Sequence, residues 1–388
     1  MKKQAFRPFL ILLGVSSLLF SCQSPAKKIS TPKILWKTNS YATLFQLGTA
    51  ANDSFIILKH PDGTVLSKVF WGESDSVAGF RKIPQRNRIV SLAAPFSYMI
   101  AELGGANKIV GIENKHFISH PYFLNANQEF NSQLPIAEVS GSDGNIIPEK
   151  LVQTNPDLVW GFWVNKGDQE FAEGMTKNKI PFLWCMNWLE AHPLGRSEWI
   201  KAFGWVLGTP EKSEKLFQSI QDQYNQIKSK SSTENPCSVA ANIPYPNGMW
   251  MIPVDKDLFN ILVADAGGKL IAQPISKAAS QTPIEKAVSI FQNAPIWINT
   301  DMYFSYEKLL IDQPKVASIV AFKNKQLYHY NLLNNQQINM RNPFWDRANL
   351  YAYEILEDLQ TLFNHVKKQG NQPLPANTLL HYYKPFQP

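Results

Sequence analysis

The chain has 388 residues, 44% of them hydrophobic and 12% aromatic, with a formal charge of +7. That length is too great for one typical core and suits two domains of ~150 residues, and this apolar content excludes a disordered polymer. Lys2, Lys3 and Arg7 supply three of the positive charges in an acid-free stretch, so the remainder carries a mild +4, and no basic run interleaved with aromatics points to nucleic acid.

The first residues set the compartment. Met1-Lys2-Lys3 is a basic start, and residues 9–20 form a mostly apolar run too short to span a bilayer. The run ends in Leu19-Phe20-Ser21-Cys22, which resembles the bacterial lipobox. It implies a signal peptide over 1–21, lipidation at Cys22, and an exported domain anchored to a membrane. Residues 22–33, rich in Ser, Pro, Ala and Lys, read as a tether. Cys185 and Cys237 fall in different halves, which favours two buried free thiols over a disulfide.

Residues 41–70 alternate apolar and polar around Pro61-Asp62-Gly63, the pattern of a β-hairpin. From Arg88 the chain turns to short apolar runs alternating with helical patterns. Strands are predicted at 88–93, 108–112, 157–161 and 181–186, with helices at 96–104, 149–154 and 169–178. Uninterrupted apolar strands between helices imply a parallel sheet covered on both faces. Thr209-Pro210-Glu211 is a helix start with a hydroxyl cap, proline at the first position and an early acid. Leu216, Phe217, Ile220, Tyr224 and Ile227 then keep helical spacing to Lys230, ~33 Å of helix at 1.5 Å per residue. A second series follows: strands at 238–243, 296–299 and 326–330, and helices at 258–266, 285–292 and 346–366. Gly267-Gly268 closes the first of these helices.

Two stretches about 135 residues apart say nearly the same thing. Pro148-Glu149-Lys150-Leu151-Val152 leads through Asn155-Pro156-Asp157 to an apolar strand. Ile284-Glu285-Lys286-Ala287-Val288 leads through Ala294-Pro295 to another. Each is a short helix with a glutamate at its start, then a turn and a buried strand. One such unit in each half predicts two similar lobes.

Catalytic signatures are missing: there is no G-x-S-x-G, Walker loop, G-x-G-x-x-G or H-E-x-x-H. Only His116 and His120 share helical spacing, with Pro121 directly after, so they read as loop residues and no bare metal site is expected.

Several segments together resemble the periplasmic binding proteins of ABC importers for metal chelates: iron-siderophores, haem and cobalamin. These are Arg88-Ile89-Val90-Ser91-Leu92 with Glu102-Leu103-Gly104-Gly105 and 108–113, the Pro148-Glu149 box, and Ala264-Asp265-Ala266-Gly267-Gly268. Leu189-Glu190-Ala191-His192-Pro193-Leu194-Gly195-Arg196-Ser197-Glu198-Trp199 resembles a lipoprotein branch of that family, and Leu379-Leu380-His381-Tyr382-Tyr383 fits its close. The resemblance covers residues 86–384, and it rests on order and spacing, since no single motif is specific.

It implies an α/β fold of two Rossmann-like lobes joined by a single long backbone helix, the class III periplasmic binding protein plan, here with an N-terminal β-hairpin. The lobes would span 34–208 and 233–388, joined by 209–232. Ligand would bind in the cleft, beyond the carboxyl ends of the strands. The cleft candidates are Pro95, Phe96, Ser97, Glu113, Phe162, Trp163 and Trp188 in the first lobe. In the second they are Tyr245, Trp250, Tyr303, Arg341 and Trp345. Aromatic faces suit a planar chelate and arginine an anionic one, although each ring also suits a core. Glu149 and Glu285 fall on the family's docking positions for a permease dimer; each is equally a first-turn acid stabilised by the helix dipole. The implied protein is a monomeric, lipid-anchored periplasmic substrate-binding protein without cofactor or catalysis. The alternative is a periplasmic sensor or assembly partner that reuses the fold without transport.

Overall fold

The computed structural model describes residues 32–162, 164, 166–232, 234–254, 258–272, 281–300, 303–332, 341–370 and 372–386. The signal-like segment, Cys22 and Trp163 lie outside the described residues.

The N-terminal region corrects the hairpin expectation. Strands β1 (Leu35–Trp36), β2 (Phe45–Ala50), β3 (Asp53–Lys59), β4 (Val65–Trp71) and β5 (Arg81–Lys82) form one sheet in that order. The predicted hairpin is β3–β4, turned by Gly63 at φ 88°, with Thr64 N donating to Asp62 Oδ1 at 2.8 Å. The β2–β3 turn escapes a sequence reading because Ala51, not glycine, takes the left-handed conformation there, at φ 49°. The sheet buries both faces. Phe55 and Phe70 close a small cluster of their own, whereas Leu47, Ile56, Leu58 and Val69 join the main core.

The first α/β lobe follows. Its elements are β6 (Ile89–Ser91), α1 (Ala94–Glu102), β7 (Ile109–Ile112), β8 (Ala137–Glu138), α2 (Pro148–Gln153), β9 (Leu158–Gly161), α3 (Lys166–Lys177) and β10 (Phe182–Trp184). The strands form a parallel sheet in the order β10-β9-β6-β7-β8. Helices α4 (Pro193–Glu198) and α5 (Ile200–Leu207) then lead to α6 (Pro210–Ser229), 20 residues and ~30 Å long. Ser213, Phe217, Ile220 and Tyr224 form its buried stripe, the i, i+4, i+7 pattern of an amphipathic helix. Its start corrects one detail. The Thr209 hydroxyl makes no capping bond, and Ser213 Oγ instead donates to Pro210 O at 2.8 Å.

The second lobe comprises β11 (Cys237–Ala241), β12 (Met249–Met251), α7 (Leu258–Asp265), β13 (Gly268–Leu270), β14 (Gln281–Pro283), α8 (Ile284–Phe291), β15 (Ile296–Ile298), α9 (Tyr306–Asp312), α10 (Val320–Lys323), β16 (Tyr328–His329), α11 (Ala352–Gln369) and β17 (Lys384–Pro385). Its parallel sheet runs β13-β11-β15, and a parallel bridge from Trp297 to Leu327 carries it on to β16. Successive residues face opposite sides, as the strand repeat of two requires. Val239, Ala241, Ile296 and Ile298 join the main core under α6, α7 and α11; Ala240 and Trp297 join a second core with Ile284, Ala287 and Phe291 of α8.

The lobes share a strand order. With the two-residue edge strand β8 left out, β7-β6-β9-β10 and β13-β11-β15-β16 share the order 2-1-3-4 along the chain. Helix α2 immediately precedes β9 and α8 immediately precedes β15, the two strands that hold the same place in that shared order. The two glutamate boxes therefore occupy equivalent places. Cys185 and Cys237 are free, buried thiols.

Candidate functional site

A cavity of about 350 Å³ opens where α4 of the first lobe meets the second lobe. Its floor is built from strand ends. Asn242 follows β11 and Asn299 follows β15, both with left-handed backbones, at φ 66° and 60°. Asparagine tolerates that conformation better than most residues, and it turns the chain away from the sheet. Tyr245, Met251 and Pro253 form one wall, Leu258, Phe259 and Leu262 of α7 a second, and Ala348, Ala352 and Ile355 a third.

Tyr330, Phe344 and Trp345 form an aromatic cluster on the rim. Tyr330 stacks on Phe344 with centroids 4.2 Å apart, and Trp345 stands edge-on to both at 5.3 Å. Trp345 is 56% exposed, so its face is open to a ligand plane. Arg196 of α4 is half-buried beside the cavity and donates to Trp188 O at 2.7 Å. It is the only charged side chain among the described lining residues. No cluster of three or more His, Cys, Asp or Glu side chains able to hold a metal occurs among the described residues.

The cavity brings together Tyr245 and Trp345 of the expected cleft residues. Others are corrected. Trp250 is fully buried in the second core, packed on Trp297 at 4.7 Å, with its indole N–H on Ala241 O at 3.1 Å. Tyr303 is buried in the same core. Phe96 is buried against Phe203, and Ser97 Oγ donates to Ser91 Oγ at 2.8 Å. Arg341 is buried too, its guanidinium donating to the Ile118 and Gln128 carbonyls. A buried guanidinium needs such acceptors, and they commit it to joining chain segments. Pro95 lies in the first turn of α1, Glu113 and Phe162 directly follow β7 and β9, and Trp188 lies in a 3-10 turn after β10, all outside the cavity lining.

Glu113 has the one strongly perturbed carboxyl of this set. Burial at the end of β7 raises it to about 7, well above the ordinary carboxylate range. Arg196, Asn242 and Asn299 were not singled out from the sequence. An asparagine after an apolar run is the usual sign of a strand end, and nothing one-dimensional says that two such ends adjoin.

Glu149 and Glu285 are both exposed in the first turns of α2 and α8. Glu285 pairs with Lys315, and that contact holds its carboxyl below the usual range. No helix among the described residues is long and apolar enough to cross a membrane.

Known proteins give the fold a context. The haem-binding protein HutB of Vibrio cholerae superposes with a TM-score of 0.54 at 16% identity, covering 72% of this chain and 99% of that one. The vitamin B12-binding protein BtuF of the same organism gives 0.53 at 15% identity, covering 73% and 98%. In sequence, an uncharacterized lipoprotein of Methanocaldococcus jannaschii is 23% identical over 242 residues, 60% of this chain and 54% of that protein. The chain thus spans about half the length of that relative. The family model described as periplasmic binding protein matches residues 89–331, more than half of the chain and every strand of both parallel sheets, and the chain belongs to that family.

Proposed function

We propose that this protein is the substrate-binding lipoprotein of an ABC importer, capturing a metal chelate of the iron-siderophore, haem or cobalamin type and delivering it to a permease dimer. The observation that carries this is the cavity at the carboxyl ends of β11 and β15, rimmed by the open face of Trp345. Open α/β sheets bind ligands there, and an aromatic face suits a planar chelate. Haem and vitamin B12, the ligands of HutB and BtuF, agree with that class.

On this reading the lobes run 34–208 and 233–388, joined by 209–232, and the protein works as a monomer. Lipidated Cys22 holds it at a bacterial membrane on the periplasmic side. The tether keeps captured ligand at a high effective concentration beside the importer. Glu149 and Glu285, exposed at equivalent places on the two lobes, meet basic residues of the permease and set its register. The role is binding, not catalysis.

The test is tryptophan-quenching titration against ferric siderophores, haemin and cobalamin. Saturable binding of any one supports the proposal; no binding of any at high micromolar concentration overturns it. Replacing Glu149 and Glu285 together by alanine abolishes uptake while leaving ligand affinity intact. A fall in affinity instead would remove the docking assignment.

A further inference from the structure

Asn242 and Asn299 are the first residues beyond two neighbouring parallel strands. Ala241 is in register with Ile298, and Asn242 N donates to Ile298 O at 3.1 Å. The asparagines therefore stand side by side at roughly the ~4.8 Å spacing of adjacent strands, and both line the cavity.

Each carboxamide has one end committed. Asn242 Nδ2 donates to Met251 O at 2.9 Å. A backbone carbonyl can only accept, which fixes that amide and leaves Oδ1 as its open end. Asn299 Oδ1 accepts from the hydroxyl of the fully buried Tyr383 at 2.7 Å, leaving Nδ2 open. The pair thus offers one acceptor and one donor, side by side. A primary carboxamide carries the matching donor and acceptor. A carboxylate offers acceptors alone and would leave Asn242 Oδ1 facing another acceptor, at the cost of an unmade hydrogen bond.

The charge of the cavity agrees. Among its described lining residues Arg196 is the only cation, and there is no lysine or histidine. A ligand with several carboxylates would be desolvated there against a single positive charge.

Building on the chelate-binding proposal, we infer that Asn242 and Asn299 read a neutral carboxamide on the rim of the bound chelate. They select amide-rimmed ligands over carboxylate-rimmed ones, while Trp345 covers the ring.

The discriminating probes share a metallomacrocycle and differ at the rim. Dicyanocobinamide carries primary carboxamides, dicyanocobyrinic acid carries carboxylates on the same cobalt ring, and haemin is a flat macrocycle with propionates. Fluorescence titration of the intact protein is expected to show cobinamide bound at least ~10-fold tighter than either of the others, the worth of one well-made hydrogen bond. Asn299→Asp, which turns the open donor into an acceptor, and Asn242→Ala, which removes the open acceptor, each lower cobinamide affinity by a similar factor, and Asn242→Ala also narrows its lead over cobyrinic acid. Cobyrinic acid or haemin binding as tightly as cobinamide overturns the inference but leaves the chelate proposal standing. So does unchanged cobinamide affinity in the two variants. Absence of binding by all of the probes, ferric siderophores included, overturns both. The comparison of ligands on the unaltered protein decides the matter even where a variant fails to fold.

Discussion

Glu190 and Glu198 are nearly inaccessible carboxylates, 2% and 0% exposed, and both are fully engaged. Glu198 accepts from the backbone N–H groups of Ser40, Tyr41 and Ala42 at 2.7–2.9 Å and from Lys201 Nζ at 3.2 Å. Glu190 accepts from Thr43 N, Thr43 Oγ1 and Leu44 N, and from the Trp199 indole at 2.9 Å. Together they clamp the loop that leads into β2 onto the first lobe. Removing one carboxylate strands several buried donors, so Glu198→Ala is expected to cost ~3–5 kcal/mol in urea unfolding. Glu198→Gln, which keeps an acceptor, should cost less. Equal stability of Glu198→Ala and the parent would contradict the clamp. Glu113 gives a prediction of the opposite kind. Its folded pKa, raised to about 7 by burial, means that its neutral form is favoured on folding. Stability from this group is full below the ordinary carboxylate range and is lost as pH rises through about 7. Glu113→Gln should therefore be more stable than the parent at pH 8, by ~1–2 kcal/mol given partial exposure, with the gap closing toward pH 4. A constant gap across that range would refute it. Neither role was legible beforehand. The segment 189–201 marks a family branch in the sequence, but a buried acid looks like a surface acid until its partners are known. Trp250 and Arg341 misled for the same reason, since an aromatic or a guanidinium suits a core or a cleft equally well.

Helix α6 was legible because its apolar spacing is long and its ends carry proline and a Ser/Thr-rich break. What fixes it against α5 was not. Gly204 of α5 faces Ser213 of α6 so closely that a Cβ on residue 204 would fall 2.3 Å from the Ser213 Cβ. Glycine here permits backbone approach between two helices, a requirement set by tertiary packing and invisible to helical periodicity, which disfavours glycine mid-helix. Gly204→Ala should destabilise the protein by ~1–3 kcal/mol despite the better helix propensity of alanine, because the packed pair must move apart. A rise in the unfolding midpoint would show that the contact relaxes freely. The strands behave similarly. Their existence followed from short apolar runs, and the duplicated glutamate boxes foreshadowed duplicated lobes. Their shared order, 2-1-3-4 once the edge strand β8 is set aside, places α2 and α8 equivalently, and it needed the pairing itself.

At the scale of the molecule, α6 is not the only tie between the lobes. The chain returns from the second lobe to the first just before α11. There Asp346 accepts from Ser119 N at 2.8 Å and from Ser119 Oγ at 2.6 Å. Arg341 donates to Ile118 O and Gln128 O, and Arg347, paired with Glu354, donates to the Tyr98 hydroxyl at 2.9 Å. A wide hinge opening would break all of these together, each buried group costing ~1–3 kcal/mol if left unpaired. A stiff helix adds to that resistance, since hinge motion needs residues able to absorb large backbone changes. Ligand capture should therefore proceed with the lobes nearly fixed, local side chains such as the exposed Trp345 doing the adjusting. Small-angle X-ray scattering of the intact protein, free and saturated with whichever chelate binds, should give radii of gyration that agree within ~1 Å, the scale of backbone change in preorganised complexes. Asp346→Ala combined with Arg341→Ala should loosen the ties and allow a measurable contraction on binding. A contraction of several ångströms in the unaltered protein would mean that these contacts yield to the ligand, and that the lobes close around it as a hinge.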